Sequence, residues 1–263
     1  MPKYNSSHYQ DFTNLDQWLY YLENLHSSEI DLGLSRISQV AERLTIDLSF
    51  AKVITVAGTN GKGTTCAFIE NSLLSCEHLG SQRSVAVYSS PHIKHFNERL
   101  RINKKDVEDQ PLIDAFKQIE AARKEISLSY YEYTTLASLL VLMDVKPSYI
   151  ILEVGLGGRL DATNIIDADI AVITTIDLDH QSFLGNDRES IGFEKAGIMR
   201  QDQDIVIGDT NIPKSVLAYA NKLHENRSDR IFSRGEDFVV NNGQDHWSWQ
   251  TKNTQLAELI TTY

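Results

Sequence analysis

A chain of 263 residues, 41% of them hydrophobic, can bury one large core and carries no mark of wholesale disorder. Its net charge of −11 argues against non-specific binding to nucleic acid or anionic membranes, both of which draw on surplus Lys and Arg. Backbone amides and a single lysine can still hold an anion locally. Two cysteines, Cys66 and Cys76, are too few for a disulfide scaffold, and both read as buried free thiols in a reducing compartment. The N-terminal residues lack the basic start and apolar run of a signal peptide. The longest apolar stretch, 136–145, is broken by Ser138 and Asp144 and falls short of the roughly 20 residues that span a bilayer. The expectation is a cytoplasmic protein with no membrane partner.

In chain order, 15–25 and 35–44 show helical spacing and form a helical lead over residues 1–50. Residues 53–57 (VITVA) are a buried-strand candidate, followed by a glycine-rich turn and a helical stretch over 64–76. Further short β-branched runs lie at 84–88, 149–153, 170–174 and 204–207, with helical patterns at 111–126 and 133–143 between them. Continuous apolar strands separated by helices predict an α/β domain over 51–263, with a mostly parallel sheet covered on both faces. After Asn211 come a helix at 213–224 and a polar, hairpin-like stretch around Asn241-Asn242-Gly243, a small β-rich appendage at the C-terminal end.

The strongest local signal is Gly58-Thr59-Asn60-Gly61-Lys62-Gly63-Thr64-Thr65, set between a strand and a helix as a phosphate loop requires. Its glycines let backbone amides approach an anion, and the helix N-terminus adds its positive end. Lys62 would reach the β and γ phosphates, and Thr64 or Thr65 could offer a hydroxyl to Mg²⁺. The usual G-x-x-x-x-G-K-[ST] pattern is not met in full: Val56 stands at its first Gly, and Gly63 follows the lysine. The shortened G-T-N-G-K-G-T form resembles the amide-forming ligases that include folylpolyglutamate synthases and muramyl ligases.

Glu153 ends the 149–153 strand and runs into Gly155-Leu156-Gly157-Gly158. In an open parallel sheet, ligands bind outside the carboxyl ends of the strands, so Glu153 is placed to hold Mg²⁺ near the phosphates. Asp179-His180 follows the 170–174 strand; from position alone, His180 stands open between ligand and structural residue. Ser90, in Ser89-Ser90-Pro91-His92, is a weaker metal candidate. Lys195 alone reads as a solvated helix lysine.

Together these segments closely resemble the bacterial bifunctional dihydrofolate synthase/folylpolyglutamate synthase family of the Mur ligase-like superfamily. The resemblance rests on I-D-L-G-L (30–34), V-A-G-T-N-G-K-G-T-T (56–65), Y-S-S-P-H (88–92), Y-E-Y (131–133), E-V-G-L-G-G-R-L-D-A-T-N (153–164), L-D-H (178–180) and E-K-A-G-I (194–198). It implies a P-loop NTPase-like fold of the Mur ligase central-domain type. It also implies ATP bound by Thr59, Asn60, Gly61, Lys62, Gly63 and Thr64, and Mg²⁺, as two ions, held by Ser90, Glu153, His180 and Lys195. Lys195 would be carbamylated, and Lys62, Lys195 and His180 would serve catalysis. The pteroate site would be lined by Ile30, Asp31, Leu32, Ser129, Tyr130, Tyr131, Glu132, Leu160, Asp161 and Ala162. Glu132 and Asp161 are acidic, and a carboxylate can accept two hydrogen bonds from a pterin-like amidine edge.

The activity so implied is an ATP-dependent ligase adding L-glutamate to dihydropteroate and to folate glutamate tails through an acyl phosphate, in a monomer. The rivals are a muramyl-type amino-acid ligase and a nucleotide-binding module without turnover. A muramyl ligase generally carries a whole nucleotide-sugar domain before the loop, where this chain has about 55 residues. The family also uses a second α/β domain, so residues 1–263 correspond to its N-terminal part and are expected to form negligible amide alone.

Overall fold

In the computed structural model, which describes residues 12–26, 31–76, 83–223, 228–242, 246–252 and 259–262, the apolar runs become strands of one eight-stranded sheet. In chain order these are β1 (Lys52–Ala57), β2 (Val85–Tyr88), β3 (Leu100–Ile102), β4 (Lys105–Asp106), β5 (Tyr149–Glu153), β6 (Ile170–Ile173), β7 (Asp204–Ile207) and β8 (Ile231–Ser233). Across the sheet they run β4-β3-β2-β5-β1-β6-β7-β8. The six from β2 to β8 in that order are parallel, while β3 and β4 add an antiparallel edge. The α/β architecture expected from the alternating pattern is the one the chain adopts.

Alternation along the strands sorts the helices onto two faces. On one face Ile54, Val56, Val85, Val87 and Ile151 pack with Cys66 under α3 (Lys62–Ser75). On the other, Val53, Ala86, Tyr88, Ile150 and Leu152 meet α1 (Leu15–Glu23), α2 (Ser35–Leu44), α4 (Asp109–Arg123) and α5 (Tyr130–Val145). Farther along that face, Ala57, Ala171, Ile173 and Ile207 pack with α7 (Arg188–Ala196) and α8 (Lys214–Leu223). Period-2 burial on both sides is what a sheet covered by two helical layers imposes.

The lead is part of this core: Trp18, Ile37 and Val40 are fully buried in the same cluster as Phe116 and Leu136. One polar group ties them together. Tyr21 and Tyr133 donate to the two oxygens of Glu120 at 3.0 and 2.9 Å, and Arg123 pairs with the same carboxylate, its Nε at 2.7 Å. Burial, reinforced by Glu120, pushes the Tyr21 hydroxyl up to about 12. Arg123 also donates to the carbonyls of Lys124 and Ile126, and Lys124 has φ 51°. Those bonds end α4 at Arg123, three residues before the apolar pattern fades. In α5 the displacement is opposite: Ser129 and Glu132 form a reciprocal capping box that starts the helix at Tyr130.

The polar C-terminal stretch forms a three-stranded antiparallel sheet of β9 (Phe238–Asn242), β10 (His246–Thr251) and β11 (Leu259–Thr262), with Gly243 outside the described residues. Cys66 is buried as expected, but Cys76 is exposed, because α3 ends at Ser75 and Cys76 caps it. Among the described residues, no helix is long and apolar enough to cross a membrane.

Because Glu120 answers three buried donors, Glu120→Ala should lower unfolding stability by roughly 3–5 kcal/mol, the cost of stranding a buried cation. Denaturant titration checks this, and a loss no larger than that of an exposed Glu→Ala would show that the cluster does not hold the lead in place.

Candidate active site

The strand order reverses about β1: the chain leaves it for β2 on one side and later returns to β6 on the other. That reversal opens a crevice at the carboxyl ends of β1, β5 and β6. The 58–61 turn fills it, stapled to the exit of β6. Thr59 N donates to Thr175 O at 2.7 Å, Asn60 N to Thr175 Oγ1 at 3.2 Å, and Thr174 Oγ1 to Asn60 O at 2.7 Å. Thr59 Oγ1 donates to Asp177 O at 3.1 Å. A Cβ on Gly58 would fall inside the contact distance of Thr174 Oγ1, so the loop can lie this close only with glycine there. Gly61, at φ 80°, caps α3, whose first-turn amides at Lys62, Gly63 and Thr64 open toward the crevice end. Lys62 Nζ donates back to Gly58 O at 2.9 Å and Thr59 O at 3.4 Å, which holds its charge over the loop.

Glu153 ends β5 beside this loop, 6% exposed, where a Cβ on Gly63 would sit 3.6 Å from its Oε1. Burial raises its pKa, partly offset by the charge of Lys62, the backbone amide of Ser90 and the charge of Arg101. Lys195 is only 2% exposed, which corrects its reading as a solvated helix lysine. Burial first, and then the charge of Lys62, pull its pKa down to about 8 against the opposing charge of Asp179. Ser90, Glu153, Lys62, Lys195 and Asp179 therefore form one electrostatic neighbourhood across four strand ends and α7. His180 sits next to it on the turn before α6 (Gln181–Leu184), at φ 46°, with its side chain 48% exposed and 3.6 Å from Asp179 Oδ2. Among the described residues, no three His, Cys, Asp or Glu side chains converge as a metal cluster. The donors gathered here are instead a carboxylate, a serine and a buried lysine.

The two most specific motifs pack against each other. Arg159 N donates to Glu194 O at 2.7 Å, its guanidinium pairs with the Glu194 carboxylate at 2.9 Å, and Asn164 Nδ2 donates to Gly197 O at 3.1 Å. A Cβ on Gly158 would lie 2.8 Å from Glu194 O and 3.0 Å from Lys195 O, and one on Gly197 would strike Arg159. The glycine-rich run after β5 is thus the surface that seats α7 and buries Lys195.

Beside the loop lies a cavity of about 240 Å³. Asp31, Leu32, Ser129, Tyr131, Glu132, Leu160, Asp161 and Ala162 line it, as does Ser90. Ile30 lies outside the described residues, and Tyr130 is not in the lining; its ring lies under the Arg99 guanidinium at 5.6 Å. Tyr131 accepts from Gly155 N at 3.0 Å and donates to Asp161 Oδ1 at 3.3 Å, and burial raises its hydroxyl well above the usual range. Asp161 also accepts from Leu156 N at 2.9 Å and from both Thr163 donors, so its carboxylate shapes the turn as well as facing the cavity. Sequence reasoning missed Arg99, which lines the cavity and is aimed by His92 Nδ1 at 2.9 Å. It missed Thr174 and Thr175 too. Spacing carries no signal for the two threonines, whose partners in the 58–61 turn lie 114 and 115 residues away.

The Mur ligase middle domain family model matches residues 56–255. The chain is 46% identical to the dihydrofolate synthase/folylpolyglutamate synthase of Haemophilus influenzae and 49% identical to that of Escherichia coli, each over 245 residues and 93% of this chain. It spans about half the length of these curated relatives, 54% and 56%. A structure of Escherichia coli FolC in complex with DHPP and ADP superposes with a TM-score of 0.85 at 42% identity, covering 98% of this chain and 58% of that one. The bifunctional enzyme of Yersinia pestis, complexed with AMPPNP and Mn ion, gives 0.82 at 43% identity, covering 98% and 58%.

Since Gly58 admits no side chain, Gly58→Ala should displace the loop from Thr174 and weaken nucleotide binding by roughly 100-fold or more, a loss typical of a misplaced binding group. Titration with a fluorescent ATP analogue reads this out. Unchanged affinity would mean that the 58–61 turn is not the phosphate cradle.

Proposed function

This chain belongs to the Mur ligase middle-domain family, and on that premise we propose that it carries the nucleotide and pteroate sites of an ATP-dependent ligase. The ligase adds L-glutamate to dihydropteroate and to folate glutamate tails. One observation carries the reading: Ser90 joins the two sites, lining the 240 Å³ cavity while its backbone amide lowers the pKa of Glu153 beside the phosphate loop. A carboxylate-bearing ligand in that cavity can therefore end next to bound nucleotide. The ADP, AMPPNP, manganese and DHPP named with the related structures support the same pairing.

The residues divide the work by position. The amides of the 61–64 turn hold the phosphates, and Lys62 exchanges its loop carbonyls for β- and γ-phosphate oxygens. The acceptor carboxylate attacks the γ-phosphorus, the bond to the bridging oxygen breaks, and ADP leaves an acyl phosphate. The amine of L-glutamate then adds to the acyl carbon, a proton is lost, and inorganic phosphate departs as the amide forms. Positioning and charge neutralisation by Lys62 supply the catalysis, with no protein nucleophile. Glu153, Ser90, His180 and Lys195 would hold Mg²⁺, which we take as two ions and which supplies further neutralisation of phosphate charge when bound. A buried carboxylate and a serine fit such a cation, whereas an ammonium does not. Lys195 fits once its neutral amine adds to the carbon of CO₂ and sheds a proton to become a carbamate. Its pKa near 8 leaves a useful fraction of free amine at neutral pH.

Two measurements test this. In the full-length enzyme, Lys62→Ala should cut acceptor-dependent ADP release by roughly 100- to 1,000-fold; near-normal turnover would remove Lys62 from the phosphoryl step. With ¹³C-bicarbonate, a carbamate resonance assigned to Lys195 should appear and vanish in Lys195→Arg. At fixed dissolved CO₂ its occupancy should rise as pH climbs through about 8, because deprotonation exposes the amine. A spectrum without that resonance under saturating CO₂ and magnesium would leave Lys195 a plain cation.

A further inference from the structure

One wall of the cavity is held by a chain of polar contacts that no step above uses. Ser127 Oγ meets His26 Nδ1 at 2.7 Å, and His26 Nε2 meets Asp31 Oδ2 at 3.2 Å. Arg36, on α2, pairs with the same Asp31 oxygen at 2.8 Å and donates to the Asp31 carbonyl at 3.0 Å. Its Nε and Nη2 also reach Glu132 Oε2, at 3.4 and 3.3 Å. Glu132 ends the chain by accepting from Ser129 N at 2.7 Å on that same Oε2. A single guanidinium thus spans two acidic cavity-lining residues, one on the lead and one on α5.

The other Glu132 oxygen is left over. Oε1 is fully buried and accepts no hydrogen bond; Arg36 Nη2 lies 3.2 Å away, within ion-pair reach but off the line of its N–H. Glu132 itself is 3% exposed and lines the cavity. A buried carboxylate oxygen without a donor costs roughly 1–3 kcal/mol or more unless a ligand supplies one. Asp31, Glu132 and Asp161 also crowd three acidic groups around about 240 Å³, and without a cation between them they would repel.

We propose that Arg36 is the positioning residue of this cavity: it fixes Asp31 and Glu132 together so that Glu132 Oε1 is presented, unswung, to the N–H-rich edge of the ligand head group. The inference rests on the pteroate reading of the cavity, whose head group carries such an edge. Arg36 touches neither nucleotide loop nor reacting atoms, so its influence is on acceptor binding alone. Lysine cannot replace it, because a point charge on a flexible stem cannot serve two carboxylates and a carbonyl at once.

The test uses the full-length enzyme as wild type, Arg36→Met and Arg36→Lys, titrated separately with 7,8-dihydropteroate and with AMPPNP. Both variants should weaken dihydropteroate roughly 10- to 100-fold, as when one partner of a buried charge pair is removed, and leave AMPPNP affinity unchanged. Hydrogen exchange at residues 31–34 and 130–133 should quicken in both. Wild-type dihydropteroate affinity in Arg36→Lys, or parallel loss of both ligands, would overturn the inference, since a merely structural arginine behaves in one of those ways. If Arg36→Met fails to fold, Arg36→Lys decides. Wild-type protein that binds AMPPNP but no dihydropteroate would overturn the cavity reading itself, and the role of Arg36 with it.

Discussion

Charge buried at the carboxyl ends of three adjacent parallel strands is the constraint on which this molecule turns. Glu153 and Lys195 are nearly sealed from solvent, yet among the described residues neither forms an ion pair. Lys62, beside them, spends its ammonium on two loop carbonyls. Charges so placed are costly in a protein that binds nothing, since desolvation exceeds what distant neighbours return. They become useful when a polyanionic ligand and its cations complete the arrangement. The raised pKa of Glu153 and the lowered pKa of Lys195 are the same fact seen from its two signs: each group leans toward neutrality until a partner arrives.

The rest of the fold holds those charges in place. The sheet fixes Val56 opposite Glu153 and Ala57 opposite Ile173, so the loop, the carboxylate and the β6 exit cannot drift apart. The glycine-rich run after β5 presses directly on α7, and its missing side chains make the room: a Cβ on Gly158 would stand only 3.0 Å from Lys195 O. The lead, through Trp18 and the Glu120–Arg123 pair, anchors α4 and through it the connection into α5, where Ser129 and Glu132 enter the cavity wall. Three regions distant in the chain thus meet at one site.

Much of this could be read from residues alone. The strand VITVA, the G-T-N-G-K-G-T turn and the helix after it announce themselves locally, because strand, turn and helix chemistry act over a few residues. The E-V-G-L-G-G-R-L-D-A-T-N and E-K-A-G-I runs were recognisable only through resemblance; that they are one packing unit is a tertiary fact. The burial of Lys195 was hidden for the same reason, since α7 offers an ordinary helical pattern and only docking against Gly158 removes it from water. Short edge strands such as β3 and β4, two or three residues long, carry too little periodicity to be seen. Arg36, Arg99 and Thr174 act on partners 96 to 117 residues away or through stacked rings, and no spacing rule reaches that far.

The account stands or falls on whether one ligand's carboxylate meets the other's phosphate at this sheet end. A crystal structure of the full-length protein with AMPPNP, magnesium and dihydropteroate would decide it. The account predicts triphosphate on the amides of residues 61–64, the head group between Tyr131, Glu132 and Asp161, and the pteroate carboxylate facing the γ-phosphate past Ser90. Head group and nucleotide in separate crevices, or pteroate with its carboxylate turned from Ser90, would contradict it.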